Sequence, residues 1–314
     1  MPFILDADVA AVVAAATEAG GIVPATPRGD AIALRDAVNM TLQLMDSAEP
    51  DSPDVLTADH VVSALDGDIT VRWYTSKRPA AGSAVVYFHG GGMVCGSVAL
   101  YDRLVSKYVQ DTGIPFLSVD YRLAPECADT TLVDDGFAAL TWFVERADEF
   151  GVDTARIALM GDSGGGGVAA GVAIAARDAG ISVAKQILIY PMLDDRNIEP
   201  DPEIAPFTTW TYDNNYTGWN ALLGADRGGK NVSALIAPSR LTDFAGLAPA
   251  FIDVGELDVF RDESIRYARN LGRAGVSAEL YVRPGCPHGF DRAAPTAAVS
   301  ARSWADRYRA IKAV

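Results

Sequence analysis

A chain of 314 residues, 49% of them hydrophobic, can bury a large core, and no apolar run in it approaches the roughly 20 residues of a membrane span. Its 41 acidic residues against 26 basic ones leave a formal charge of −15, which argues against nucleic acid and anionic membranes as partners. Three cysteines (Cys95, Cys127 and Cys286) lack metal-ligand spacing, and Met1–Asp6 has neither a basic n-region nor a cleavable apolar segment, so free thiols in the cytoplasm are expected.

In chain order, Asp6 to Thr17 and Asp30 to Met45 carry apolar residues at helical spacing, separated by Gly20-Gly21-Ile22-Val23-Pro24. Both precede the first strands and so cannot be crossover helices of a sheet. Asp59-His60-Val61-Val62-Ser63 alternates polar and apolar, which places His60 on a partly exposed strand edge. From Ile69 onward strand-like and helix-like runs alternate, the pattern of an α/β chain with a mostly parallel sheet covered on both faces. The clearest interruption is Asp195 to Gly229, rich in Pro, Asn, Trp and Tyr, between the strand-like Gln186–Tyr190 and another beginning near Pro249.

The most informative stretch is Gly161-Asp162-Ser163-Gly164-Gly165. It follows the buried-strand run Ile157–Met160 and precedes Val168–Ala176, which reads as a packed helix. A strand, a G-x-S-x-G turn and a helix make a nucleophile elbow, in which small residues permit a strained turn that lifts the serine hydroxyl above the sheet. A serine hydroxyl needs a base, usually a histidine held in one tautomer by a carboxylate. His288, in the turn-rich Pro284–Phe290 just after the strand-like Ala278–Val282, is the candidate base. Asp258 is the candidate acid, on a loop between the strand-like Pro249–Gly255 and the helix-like Asp262–Ala268. Asp253 lies within the strand-like run, and Glu256 and Asp262 are close enough to be rivals on sequence alone. The order Ser163, Asp258, His288 is that of the α/β-hydrolases and differs from that of the two well-known serine protease folds.

His89 serves a different purpose. Ala84–Phe88 is strand-like and ends in His89-Gly90-Gly91-Gly92. Acyl transfer passes through an oxyanion that needs preorganised donors, and the N–H groups of Gly91, Gly92 and Gly164 are the candidates. His89 orients that loop by hydrogen bonding.

Taken together, His89–Gly92, Tyr121-Arg122-Leu123-Ala124-Pro125-Glu126, Gly161–Gly166, Asp258 followed by Arg261-Asp262-Glu263, and His288-Gly289-Phe290 resemble the hormone-sensitive-lipase family of α/β-hydrolases, from about Val71 to the C-terminus. Asp162 resembles the GDSAG branch. Gly164 departs from the usual alanine, which would loosen the elbow, and Cys127–Thr131 departs from the common His-Pro-Phe-Pro-type segment. The resemblance implies an α/β-hydrolase core (51–194 and 230–314), with residues 1–50 and 195–229 forming two pieces of a helical cap over the site. It also implies a carboxylesterase acting on short-to-medium acyl or aryl esters, without metal or organic cofactor. Met93 and Val94, beyond the oxyanion glycines, and the cap aromatics Phe207, Trp210, Tyr216 and Trp219 are candidate pocket walls. The strand near 278–283 reads as an edge that such proteins pair across a two-fold axis, giving a homodimer. The alternatives are an amidase or lactonase on the same fold, or a ligand receptor without catalysis, which the presence of all three of Ser163, Asp258 and His288 disfavours.

Overall fold

The computed structural model describes residues 3–18, 25–77, 79 and 82–314; the Gly20–Pro24 break lies outside them. Two helices come first, α1 (Ala7–Glu18) and α2 (Ala31–Ala48). Asp30 caps α2, its carboxylate accepting from the Ala33 N–H, so the aspartate that opens the periodic stretch is what starts the helix. Eight strands follow: β1 (Val55–Ala64), β2 (Gly67–Ser76), β3 (Gly82–Phe88), β4 (Phe116–Asp120), β5 (Val152–Asp162), β6 (Lys185–Ile189), β7 (Ala250–Gly255) and β8 (Ala278–Arg283). Between and after them come α3 (Asp102–Thr112), α4 (Thr131–Glu145), α5 (Gly164–Asp178), α6 (Tyr212–Leu223), α7 (Arg261–Arg273), α8 (Phe290–Ala293) and α9 (Ala298–Lys312).

The sheet order is β1-β2-β4-β3-β5-β6-β7-β8. β1 and β2 form an antiparallel hairpin, β2 pairs antiparallel with β4, and every pairing from β4 to β8 is parallel. Period-2 alternation divides the core in two. On β3, Ala84, Val86 and Phe88 enter one cluster with α4, α5 and the helical cap, while Val85 and Tyr87 enter the other with α3 and α9. Strands buried on both faces read as continuous apolar runs, which is why β3, β5, β6 and β7 stand out in the sequence.

Two elements differ from the sequence reading. The β1–β2 hairpin begins the sheet at Val55, ahead of the alternation read from Ile69, and turns through the two residues Leu65-Asp66, with Gly67 taking a positive φ of 136° where β2 starts. α5 begins at Gly164, directly after Ser163 and four residues before the expected run. Four consecutive glycines are poor helix formers, but here tertiary packing requires them: a Cβ on Gly165 would sit 2.2 Å from the Phe88 carbonyl oxygen, and one on Gly167 2.2 Å from that of Met192.

The 195–229 interruption holds α6, which packs against α2 in the helical cap, while α1 packs against α8. Gly29 N–H donates to the Thr217 hydroxyl at 2.8 Å, and Arg28 pairs with Asp213 at 2.9 Å, fastening the segment before α2 to α6. His60 is half-buried on edge strand β1, against the rings of Trp142 and Phe150.

Candidate active site

Ser163 sits between β5 and α5 with φ 56° and ψ −118°, a conformation costly for any residue bearing a Cβ. Surrounding bonds hold it there. Its N–H donates to the Ile189 carbonyl at 2.8 Å, and its own carbonyl accepts from Met192 N–H at 2.9 Å and Gly167 N–H at 3.2 Å. The flanking glycines are dictated by contact: a Cβ on Gly161 would lie 2.2 Å from the Gly165 carbonyl oxygen, so the two sides of the turn can close only without side chains.

His288 lies on the loop between β8 and α8. Its Nε2 is 3.0 Å from Ser163 Oγ and its Nδ1 2.8 Å from Asp258 Oδ2. An ionised carboxylate can only accept, so Nδ1 carries the proton and Nε2 presents its lone pair to the serine hydroxyl. Three rings surround the imidazole: Tyr190 at 4.5 Å, Phe260 at 5.1 Å and Trp210 at 6.4 Å between centroids. The Thr209 hydroxyl donates to the His288 carbonyl at 2.6 Å, tying the cap insertion to the histidine loop.

Asp258 is fully buried on the loop between β7 and α7; its second oxygen, Oδ1, accepts from Phe260 N–H at 2.9 Å. The neighbouring carboxylates are engaged elsewhere. Asp253 pairs with Arg283, Glu256 accepts from Gly285 N–H, and Asp262 pairs with Arg261. Leu257 N–H donates to the Cys286 carbonyl at 2.9 Å, which fixes the Asp258 loop against the His288 loop.

The glycine-rich loop after β3 runs beside Ser163. No hydrogen bond among the described residues engages the N–H of Gly91, Gly92 or Gly164. A Cβ on Gly164 would lie 2.9 Å from the Gly92 nitrogen and 2.7 Å from that of Met93, so these backbones converge next to the nucleophile. His89 Nδ1 lies 2.9 Å from the Gly90 carbonyl oxygen, and its ring stacks on Tyr121 at 4.4 Å, whose hydroxyl donates to the His89 carbonyl at 2.6 Å. Burial lowers the pKa of His89 and favours its neutral form, in which it stacks and positions the loop. The loop is also strapped from α2: Arg35 donates to the carbonyls of Val94 at 2.6 Å and Ala124 at 2.7 Å and pairs with Glu126.

Of the candidate pocket residues, Met93 and Trp210 lie against the site, Met93 buried beside α5 and the Trp210 indole packed on Gly92. Val94 is buried immediately beyond. Phe207 is half-buried against the core, Tyr216 is held between the guanidiniums of Arg28 and Arg227 at 4.0 and 4.5 Å, and Trp219 is wholly buried in α6. Tyr190, Phe260, Thr209 and Arg35 had no sequence signal, because each reaches the site only through the fold.

Two thiols are buried and half-burial shields the third. This pushes Cys95 and Cys286 up to about 12 and Cys127 to about 11, so all three stay protonated and unreactive near neutrality. Among the described residues no group of His, Cys, Asp and Glu is arranged to hold a metal ion.

A mostly parallel sheet carrying a hydrogen-bonded serine, histidine and aspartate at the C-terminal ends of its strands defines an α/β-hydrolase. The family described as alpha/beta hydrolase fold matches residues 85–292, and the chain belongs to the hormone-sensitive-lipase-like esterases of that fold. It is 35% identical over 260 residues to an ethyl acetate hydrolase of Pseudomonas putida, covering 78% of this chain and 79% of that one. It is 34% identical over 258 residues to the esterase LipI of Mycobacterium tuberculosis, covering 77% of each. The solved structure of a bacterial heroin esterase superposes with a TM-score of 0.88 at 34% identity, over 98% of this chain and 97% of that one.

Proposed function

We propose that this protein is a serine carboxylesterase acting on small esters of short-to-medium acyl or aryl type. The observation that carries the reading is His288 standing in hydrogen-bond contact with both Ser163 and Asp258. Ser163 attacks the ester carbonyl while His288 Nε2 takes its proton. Asp258 keeps the imidazole in the productive tautomer and stabilises its charged form. The N–H groups of Gly91, Gly92 and Gly164 face the developing oxyanion, each good donor contributing roughly a hundredfold in rate. His288 then protonates the leaving alcohol, and a water activated by the same Nε2 releases the acid from the acyl-enzyme. The relatives named as ethyl acetate hydrolase and heroin esterase support small acyl groups.

A p-nitrophenyl ester series from acetate to decanoate tests this. Turnover that falls with chain length, and is lost by at least about 10⁴-fold in Ser163→Ala, is the expected result. Activity kept in Ser163→Ala, or confined to amides offered side by side, overturns it. Two further readings accompany the main one. The edge of β8 beyond its single neighbour β7 suits pairing with a second copy, which light scattering tests; a monomer at all concentrations removes it. Protonated free thiols suit the cytoplasm, which cell fractionation checks. No helix among the described residues is long and apolar enough to cross a membrane.

A further inference from the structure

Each of the three segments that carry Ser163, Asp258 and His288 also carries a second, buried carboxylate. Asp162 immediately precedes Ser163, Asp253 lies on β7 five residues before Asp258, and Asp291 lies in α8 three residues after His288. All three are at most 1% exposed, and none takes part in acyl transfer. Asp253 and Asp291 meet on one cation. Arg307 of α9 is itself fully buried; its Nη1 donates to Asp291 Oδ2 at 2.8 Å, and its Nη2 lies 3.6 Å from Asp253 Oδ2. Ser303, one turn earlier on α9, donates to Asp253 and accepts from Arg307 Nη2 at 3.3 Å, while Tyr108 of α3 accepts from Nη1 at 3.0 Å.

We propose that Arg307 is a positioning residue for acyl transfer: one buried guanidinium gathers a carboxylate from the acid segment and one from the base segment and holds the two in mutual register from beneath. The inference rests on the roles proposed above for Ser163, Asp258 and His288. A planar guanidinium with five donors can address several carboxylates at fixed angles, which an ammonium cannot. A buried ion cluster is a poor source of net stability because desolvating its charges offsets their attraction, so its value here lies in geometry. Geometry is also what the reaction is sensitive to, since a misplacement of about 1 Å at the reacting atoms costs on the order of a hundredfold. Asp253 has a second cation in Arg283 at 2.7 Å, whereas Arg307 is the ion-pair partner of Asp291, so the base segment depends on it most.

The test compares Arg307→Lys and Asp291→Asn with Asp195→Asn, which breaks a buried pair with Arg240 that belongs to none of the three segments. Rates on a p-nitrophenyl ester are counted per Ser163 labelled by a phosphonate, so that misfolded protein does not enter. Arg307→Lys and Asp291→Asn are expected to lose kcat on the order of tenfold or more, with KM within about twofold, and to shift the low-field Nδ1 proton resonance of His288. Asp195→Asn is expected to lower the melting temperature with kcat retained. Unchanged kcat in both network variants, a raised KM with kcat kept, or an equal kcat loss in Asp195→Asn overturns the proposal. If Arg307→Lys does not fold, Asp291→Asn alone decides. Activity surviving Ser163→Ala would instead remove the esterase reading itself, a separate outcome.

Discussion

Asp162 shows how the site sets stability against function within one side chain. Burial pushes its carboxyl up to about 6 from 3.8, against the opposing pull of Arg307 and Arg292. A folded pKa raised above the unfolded one means that the native state holds its proton more tightly. The contribution is therefore full below pH 3.8 and is lost as pH rises through about 6. At pH 7 the ionised group thus costs about 3 kcal/mol. Asp162→Asn is expected to raise the melting temperature at pH 7 and to lose that gain near pH 4; a lower melting temperature at pH 7 would show that the arginines outweigh burial. Gly164 invites the opposite change. The sequence suggests that glycine loosens the elbow, but the structure has filled the space: a Cβ there would lie 2.7 Å from the Met93 nitrogen, against rigid backbone. Gly164→Ala is expected to push the oxyanion loop away and lower kcat on the order of a hundredfold, with KM little changed. Asp258→Asn is expected to cost on the order of 10⁴-fold in kcat, while Glu256→Gln and Asp262→Asn change it little, since neither carboxylate touches His288.

At the scale of elements, what the sequence revealed was whatever leaves a local trace. Strands buried on both faces read as apolar runs, and the elbow carries its glycines because its two sides nearly touch. Contacts between distant segments left none. Arg35 is 59 residues from Val94 and 91 from Glu126, and only folding brings α2 across the oxyanion loop. The aromatic segment 207–219 was visible as composition, but which rings face the site is decided by the helical phase of α6, which turns Tyr216 toward two arginines and buries Trp219. The Arg35 strap makes its own prediction. Arg35 holds the carboxyl of Glu126 down at about 2, a depressed value, so the pair contributes fully above the free carboxyl's 4.5 and is lost as pH falls through about 2. Glu126 is exposed and solvent screening keeps that term small. The two hydrogen bonds to backbone carbonyls are the larger share. Arg35→Met is expected to cost about 2 kcal/mol in denaturant unfolding and to lower kcat, because the Val94 carbonyl continues directly from the oxyanion glycines.

For the whole molecule the deciding quantity is the charge of −15. Two electrostatic contributions oppose each other as salt is added. Screening relieves repulsion among the excess carboxylates, which stabilises the folded chain, and it weakens the exposed ion pairs, which destabilises it. The exposed pairs, such as Lys77 with Asp54 and Arg103 with Asp51, contribute little singly because both partners are well solvated. The pairs that organise the site, Arg307 with Asp291 and Arg283 with Asp253, are buried and scarcely feel the ionic atmosphere. Relief of repulsion should therefore win. The melting temperature at pH 7.5 is expected to rise as sodium chloride goes from about 10 mM to about 0.5 M, over which the Debye length shrinks from about 30 Å to a few ångströms. A melting temperature that falls over this range would mean that the surface pairs act together as a network. Esterase turnover on an uncharged substrate should stay nearly constant over the same range, since the charges that hold the segments of Asp258 and His288 lie inside the protein.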